Sequence, residues 1–321
     1  MLGILLVTFP FFALVLCGYV AARRRMLPLA AIPGLNSFVL YFALPCMLYR
    51  FGAAMPVGKL LDPTAMLVYL PCALLMVGGT VRASLNDRIR WNDASFGALV
   101  AAFPNTGFMG VPLLVALLGA AAAGPAILTI LVDLVITSSL CIALSRLDSR
   151  DEHGAAEAAK NALRGMALNP MPWAILLGGL SSALQVQPVK PIMATIALLA
   201  DAASPVALFT IGAVLARSQM LAAAGEHAPM PARDFVPVSV AKLLIHPALV
   251  FGVGTGLRAM GLPVDAFSLK VMTLVAALPS ASNVSLLAER FDADTGRVAR
   301  IILLTTAAAF VTFSAAVTLL A

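Results

Sequence analysis

Apolar residues fall in ten long stretches along the chain of 321 residues. A helix needs about 20 apolar residues to cross the hydrocarbon core of a bilayer, and most of the stretches are close to that length. Because the runs are continuous, they also exclude a β-barrel, whose strands alternate apolar and polar residues. The pattern predicts an all-α polytopic membrane protein with spans at 2–22, 34–53, 63–81, 94–118, 122–145, 170–187, 191–216, 235–257, 264–288 and 299–320.

Two of these spans contain a proline followed by small polar residues near the centre. The fourth span has Pro104 followed by Asn105 and Thr106, and the ninth has Pro279 followed by Ser280, Ser282 and Asn283. Proline lacks an N–H and frees carbonyls in the preceding turn. Unpaired backbone groups are tolerated at membrane depth only where protein or water meets them. We therefore predict that both helices break at these prolines.

The polar residues after each proline are suited to restart a helix and to bind an anion. Asn105 or Thr106 is expected to cap the segment after the first break, and Ser280, Ser282 or Asn283 the segment after the second. Helix N-termini carry partial positive charge and free N–H groups, so two of them at one midplane point suit a carboxylate. The simpler interpretation is a proline kink whose polar side chains bond to carbonyls of the preceding turn.

The basic residues outside the spans divide unequally between the two sides of the membrane. Four lie on one side: Arg50, Lys59, Lys190 and Arg258. The other side holds Arg23, Arg24, Arg25, Arg82, Arg88, Arg90, Arg146, Arg150, Lys160, Arg164, Arg217, Arg233, Arg290, Arg297 and Arg300. The positive-inside rule makes the richer side cytoplasmic and places both termini outside. Met1 to Val20 is expected to be a retained first helix, since its basic residues follow the apolar run.

The chain divides into two halves of five spans. We expect a first repeat at 1–146, a cytoplasmic linker at 147–169 and a second repeat at 170–321. Because five is odd, the second repeat must be inverted relative to the first. Pro104 then matches Pro279, and Pro45 matches Pro205. Inverted repeats with paired helix breaks near the midplane are an architecture of secondary transporters.

Several ionisable residues lie inside the predicted spans. Asp133 and Asp201 are near the centres of the fifth and seventh spans, where a charge costs at least about 2.5 kcal/mol. We interpret them as ion-coupling or gating groups, the alternative being protonated or paired structural acids. His246 in the eighth span is a weaker candidate for the same role. Lys242 and Lys270 lie near span ends, where their ammonium groups are expected to reach the interface.

Composition narrows the function further. Hydrophobic residues make up 61% and charged residues 11%, with a mean hydropathy of +0.98, as expected of a membrane protein. The net charge of +6 is explained by the basic loops, so no nucleic acid is expected as a partner. The four cysteines lie in apolar spans and suit neither disulfides nor a metal site. Nucleotide and hydrolase motifs are absent, so no enzymatic activity and no cofactor are expected.

The run from Ala102 to Leu113 resembles the fourth-helix signature of the auxin efflux carrier family, which includes bacterial malonate-type transporters. Asn36–Pro45 and Ala276–Asn283 resemble its second and ninth helices. The resemblance implies ten helices in two inverted repeats, a scaffold bundle, a transport bundle and a crossing of the fourth and ninth helices that holds substrate carboxylates. Two departures are a phenylalanine at Phe103, where plant members have asparagine, and a short central loop. Both favour a malonate-type member over an auxin-type one. A short chain of this kind resembles the bacterial members, which implies a bacterial inner membrane with both termini in the periplasm.

The leading hypothesis is a secondary transporter of a small organic anion, malonate or a related carboxylate, that works by alternating access. An H⁺ or Na⁺ gradient would drive it, and the choice between these ions stays open. The expected partners are the carboxylate and membrane lipid, with a homodimer left open. One alternative is a non-transporting membrane sensor or partner subunit. Another is an intramembrane enzyme that uses Asp133 and Asp201 as a carboxylate pair.

Overall fold

The described part of the chain is entirely helical. The computed structural model describes residues 2–56, 58, 62–147, 160, 167–223 and 230–320. Its α-helices are α1 Leu2–Arg23, α2 Ile32–Phe38, α3 Leu44–Ala53, α4 Pro63–Ser84, α5 Trp91–Ala102, α6 Val111–Leu118, α7 Ala123–Val132, α8 Ser138–Leu144, α9 Pro170–Leu184, α10 Lys190–Ala223, α11 Val236–Val240, α12 His246–Ala259, α13 Ala266–Ala276, α14 Val284–Arg290 and α15 Thr295–Leu320. Most of the predicted linker lies outside the described residues.

Short π-helical turns interrupt several of the long helices. They lie at Val39–Ala43, Thr106–Gly110, Asp133–Thr137 and Ala241–Ile245. A π turn widens the helix by one residue and often occurs at functional sites. Two of the four contain an ionisable residue that the sequence placed inside a span, namely Asp133 and Lys242.

Seven helical segments within the described residues are long and apolar enough to cross a membrane. They are Leu6–Arg23, Leu29–Ala53, Pro63–Ser84, Ala120–Leu144, Lys190–Met220, Val236–Ala259 and Thr295–Leu320. Three shorter apolar helical segments are Thr106–Leu118, Pro170–Leu184 and Ala266–Ala276. The chain is therefore a multi-pass helical membrane protein.

Both predicted helix breaks are present. In the fourth predicted span, α5 ends at Ala102 and helical structure resumes at Thr106. In the ninth, α13 ends at Ala276 and α14 begins at Val284. Pro205, by contrast, lies inside the continuous helix α10 and does not break it. Pro45 also lies inside a helical segment that continues through it, Leu29–Ala53, directly after the π turn Val39–Ala43.

The chain forms two compact units, each assembled from both halves of the sequence. Unit 1 comprises Met1–Pro63, Thr106–Leu128 and Asn169–Glu226; unit 2 comprises Thr64–Asn105, Thr129–Leu168 and His227–Ala321. Thus the chain passes from unit 2 to unit 1 directly after Asn105, at the first helix break.

Unit 1 is held together by helices that approach closely at glycine. A Cβ atom added to Gly18 of α1 would overlap the carbonyl of Phe209 in α10, and one added to Gly212 of α10 would overlap the carbonyl of Val15 in α1. Gly178 of α9 meets the backbone of α3 in the same way. Small residues of this kind let membrane helices pack backbone against backbone.

Unit 2 is built around helix α5. Every residue from Ala94 to Ala102 is buried, so protein encloses this helix on all sides. The most deeply buried large side chains of the unit include Tyr69, Phe96, Lys242 and Arg297. Two of these four side chains are basic, so the interior of unit 2 is partly polar.

Candidate functional site

The two helix breaks cross each other within unit 2 and form a short antiparallel bridge between Pro104 and Ser280. The N–H of Asn105 donates to the carbonyl of Pro279 at 2.8 Å, and the N–H of Ala281 donates to the carbonyl of Phe103 at 3.0 Å. Each break thus satisfies backbone groups of the other. This reciprocal pairing explains how two broken helices can be accommodated in an apolar interior.

The carbonyl freed by the first proline is bound by a side chain from the second break. In a continuous helix the carbonyl of Val100 would accept from the N–H of residue 104, which proline lacks. Instead the hydroxyl of Ser280 donates to the Val100 carbonyl at 2.7 Å. Ser280 is fully buried, and its own N–H donates to the hydroxyl oxygen of Thr305 at 3.2 Å. Ser280 therefore links the two breaks, because it pairs the carbonyl that the first proline leaves without a donor.

The second break frees two carbonyls, and they are satisfied differently. The Val275 carbonyl, which loses the N–H of Pro279, accepts from the N–H of Leu278 at 3.0 Å. The Ala276 carbonyl loses the N–H of Ser280, which is turned toward Thr305. The ammonium group of Lys242 donates to the Ala276 carbonyl at 2.6 Å. A buried cation thus occupies one of the positions that the second break creates.

Three of the predicted binding residues keep polar side chains available at the crossing. Within the described residues, no hydrogen bond joins a side-chain atom of Asn105, Ser282 or Asn283 to another residue. The polar side-chain atoms of these three residues are not fully buried, so a ligand can reach them. Asn105 is 4% exposed and Ser282 7%, so only a small part of each is accessible. The arrangement leaves amide and hydroxyl groups for a small polar ligand.

The capping predictions meet with less success. Asn283 occupies the N-cap position of α14, but its side chain makes no capping hydrogen bond, so that prediction is wrong. The hydroxyl of Ser280 donates to the carbonyl of Val100 and does not cap α14. Thr106, the first residue of its π turn, is fully buried and belongs to unit 1.

Asp133 lies in a fully buried polar cluster of unit 2. The hydroxyl of Tyr69 donates to one carboxylate oxygen at 2.9 Å, and the hydroxyl of Thr137 donates to the other at 3.0 Å. Lys242 interacts with Asp133 electrostatically. The hydrogen bonds to both carboxylate oxygens and the nearby Lys242 therefore offset the free-energy cost of burying this acid. Tyr69 was not identified from the sequence, although a tyrosine in the middle of an apolar span is a usable signal.

His246 and Lys242 lie one helical turn apart in the same cluster. The ammonium nitrogen of Lys242 is 3.3 Å from Nδ1 of His246, whose ring stacks obliquely on Tyr69 with 5.9 Å between centroids. Both residues are fully buried. The expectation that Lys242 reaches the interface is wrong, because the freed Ala276 carbonyl offers it a partner inside the protein.

Asp201 has a different environment, in unit 1. Its carboxylate pairs with the guanidinium of Arg50 at 2.6 Å, and its side chain is 69% exposed. The sequence placed Asp133 and Asp201 together as possible members of one carboxylate pair. In the structure each acid is satisfied within its own unit by different partners.

A buried arginine of unit 2 also escaped the sequence interpretation, which placed it in a cytoplasmic loop. Arg297 is only 1% exposed and donates to the backbone carbonyls of Asp234 and Asp93 and to the hydroxyl of Ser84. A Cβ on Gly97 would overlap its guanidinium, so this glycine makes room for it. Arg297 also lines a cavity of about 410 Å³ between α4 and the α11–α12 segment.

Comparison with known proteins accords with this architecture. The description "Membrane transport protein" belongs to the family that matches residues 4–317, so the chain belongs to that family, the auxin efflux carriers. The resemblance noted in the sequence is thereby confirmed.

Two relatives cover most of the chain. "Putative malonate transporter" of Rhizobium meliloti (strain 1021) is 28% identical over 305 residues, covering 92% of this chain and 89% of the relative. "Uncharacterized transporter YfdV" of Escherichia coli (strain K12) is 25% identical over 292 residues, covering 89% and 88%. The family and these relatives are transporters rather than enzymes. The chain is accordingly a membrane transporter, and the intramembrane-enzyme hypothesis is set aside.

Proposed function

We propose that the protein is a secondary transporter of a small organic anion, with malonate or a related dicarboxylate as substrate. The observation that carries the proposal is the crossing of the two helix breaks, where Asn105 and Ala281 donate to carbonyls of the opposite break. Crossed broken helices near the midplane are where secondary transporters bind substrate. Malonate is named because the relative from Rhizobium meliloti is called a malonate transporter.

The side chains at the crossing support a carboxylate ligand. Asn105 and Asn283 bring amide donors, and Ser282 brings a hydroxyl. The N–H groups of Val284 and Ser285, at the start of α14, already donate to the carbonyls of Ala281 and Ser282. The side chains of Asn105, Ser282 and Asn283 are therefore the groups that would contact the ligand. Amide and hydroxyl donors of this kind can hydrogen-bond directly to a carboxylate.

For the whole chain we propose ten spans in two inverted repeats of five, with both termini on the periplasmic side of a bacterial inner membrane. The seven long apolar segments and the three shorter ones support this count. We further propose that unit 2, which contains the crossing, is the transport bundle and unit 1 the scaffold. Transport would proceed by alternating access, driven by an H⁺ or Na⁺ gradient, with Asp133, Asp201 and His246 as the candidate coupling or gating groups.

Uptake into proteoliposomes tests the proposal. Purified protein should catalyse saturable uptake of radiolabelled malonate, and unlabelled dicarboxylates should compete. Asn105→Ala and Asn283→Ala should lower kcat/KM by about tenfold or more each, since each removes a hydrogen bond to a charged ligand. Thr195→Ala, which removes an exposed hydroxyl of α10, is the matched control and should transport like the wild type. Absence of uptake for every carboxylate, or unchanged transport in both asparagine variants, would contradict the proposal.

A further inference from the structure

The buried Lys242 lies against a backbone carbonyl that the second helix break leaves without its helical partner. In sodium-driven transporters, backbone carbonyls of unwound helix segments are typical ligands of the ion. The carbonyl of Ala276 is such a group, because Ser280 turns its N–H away toward Thr305. Here the carbonyl accepts from the Lys242 ammonium at 2.6 Å.

The surroundings of the ammonium group are those of a cation site. Lys242 is fully buried, its nitrogen is 3.3 Å from Nδ1 of His246, and it interacts electrostatically with Asp133. Its three donors are therefore offered a carbonyl oxygen, a ring nitrogen and a nearby carboxylate. An oxygen ligand and a nearby negative charge are also the features by which a protein binds a small monovalent cation.

We propose that Lys242 serves as a built-in cation at the second helix break, so that this transporter does not require Na⁺ there. When protonated, the side chain supplies from within unit 2 the positive charge that a bound ion would bring. This inference rests on the proposed transport function. Of the two coupling ions that the sequence left open, it favours H⁺ over Na⁺.

The first arm of the test is transport. Wild-type proteoliposomes should take up malonate at the same rate in NaCl and in choline chloride of equal concentration. A rate that falls about tenfold or more without Na⁺ would overturn the inference. Uptake of no carboxylate under either condition would instead contradict the proposed function, and the second arm would then decide about Lys242.

The second arm is a thermal-shift measurement that requires no substrate. Replacing the lysine by a neutral residue should open the site, so Na⁺ should raise the Tm of Lys242→Ala and Lys242→Gln by about 3 °C in a saturable way, relative to choline. Lys242→Gln carries an amide oxygen that can itself bind Na⁺ beside the Ala276 carbonyl, and it covers the case in which the alanine variant does not fold. Wild type, Lys242→Arg and the control Lys270→Ala, altered in the helix that carries Ala276, should show no specific shift. Neutral variants that fold but do not respond to Na⁺ would overturn the inference.

Discussion

The two compact units handle charge and packing in opposite ways. In unit 1, α1 and α10 meet backbone to backbone at Gly18 and Gly212, and the acid Asp201 pairs with Arg50 while remaining largely exposed. In unit 2, charged side chains are fully buried among hydroxyl groups and carbonyls. The glycine contacts of unit 1 hold its helices together without burying charged groups. Unit 2 buries polar groups, at a cost in stability, beside two interrupted helices. Buried polar groups of this kind are expected in the part of a membrane protein that carries its function.

Replacing the acid of each unit by alanine should reveal the largest difference. Asp133→Ala leaves the buried hydroxyls of Tyr69 and Thr137 without their acceptor and removes the negative charge near Lys242. We expect it to cost about 3–5 kcal/mol of stability, as for one partner of a buried pair. Asp201→Ala breaks an exposed pair and should cost under about 1 kcal/mol. Apparent melting temperatures in detergent give the order, and equal losses would remove the contrast between the units.

A methyl group at the glycine contact of unit 1 should have the next largest effect. The Cβ of Gly212→Ala would overlap the backbone carbonyl of Val15, so the helices must separate, at a cost of about 3 kcal/mol. Gly252→Ala in α12 is the matched control, because a Cβ there meets nothing within 4 Å. The control should be neutral or stabilised by up to about 1 kcal/mol through helix propensity. A tolerated Gly212→Ala would show that close packing does not define unit 1.

The smallest effect is expected at the crossing in unit 2. Ser280→Ala removes the hydroxyl that donates to the Val100 carbonyl, for which Pro104 offers no N–H. The buried acceptor is left unpaired, at a cost of about 1–3 kcal/mol. Ser285→Ala also removes a donor, but its acceptor, the carbonyl of Ser282, keeps the N–H of residue 285. Its loss should be under about 1 kcal/mol. Equal melting temperatures of the two variants would show that Ser280 does not seal the break.

Local chemistry accounts for what the sequence predicted well. The breaks at Pro104 and Pro279 follow from the missing proline N–H, which acts within a single turn and is visible in the sequence. The apolar stretches likewise define helices by their length alone. Pro205 shows the limit of this reasoning, since α10 continues through it.

Partners distant in sequence account for what the sequence did not reveal. Ser280 donates to a carbonyl 180 residues away, so neither segment alone indicates the pairing. Lys242 was expected at the interface because its position near a span end permits it, and only the free carbonyl of Ala276 explains its burial. Arg297 counted as a loop cation because the acceptors that bury it come from three separate segments.

Ligand-induced stabilisation tests the central claim, that the crossed breaks of unit 2 bind a small carboxylate, most directly. Malonate titrated into purified wild-type protein should raise the melting temperature in a saturable way, because a ligand that binds only the folded state stabilises it. The shift should vanish in Asn105→Ala and Asn283→Ala and persist in Thr195→Ala, with all three variants folded. A shift of wild-type size in both asparagine variants would place the carboxylate elsewhere and contradict the account.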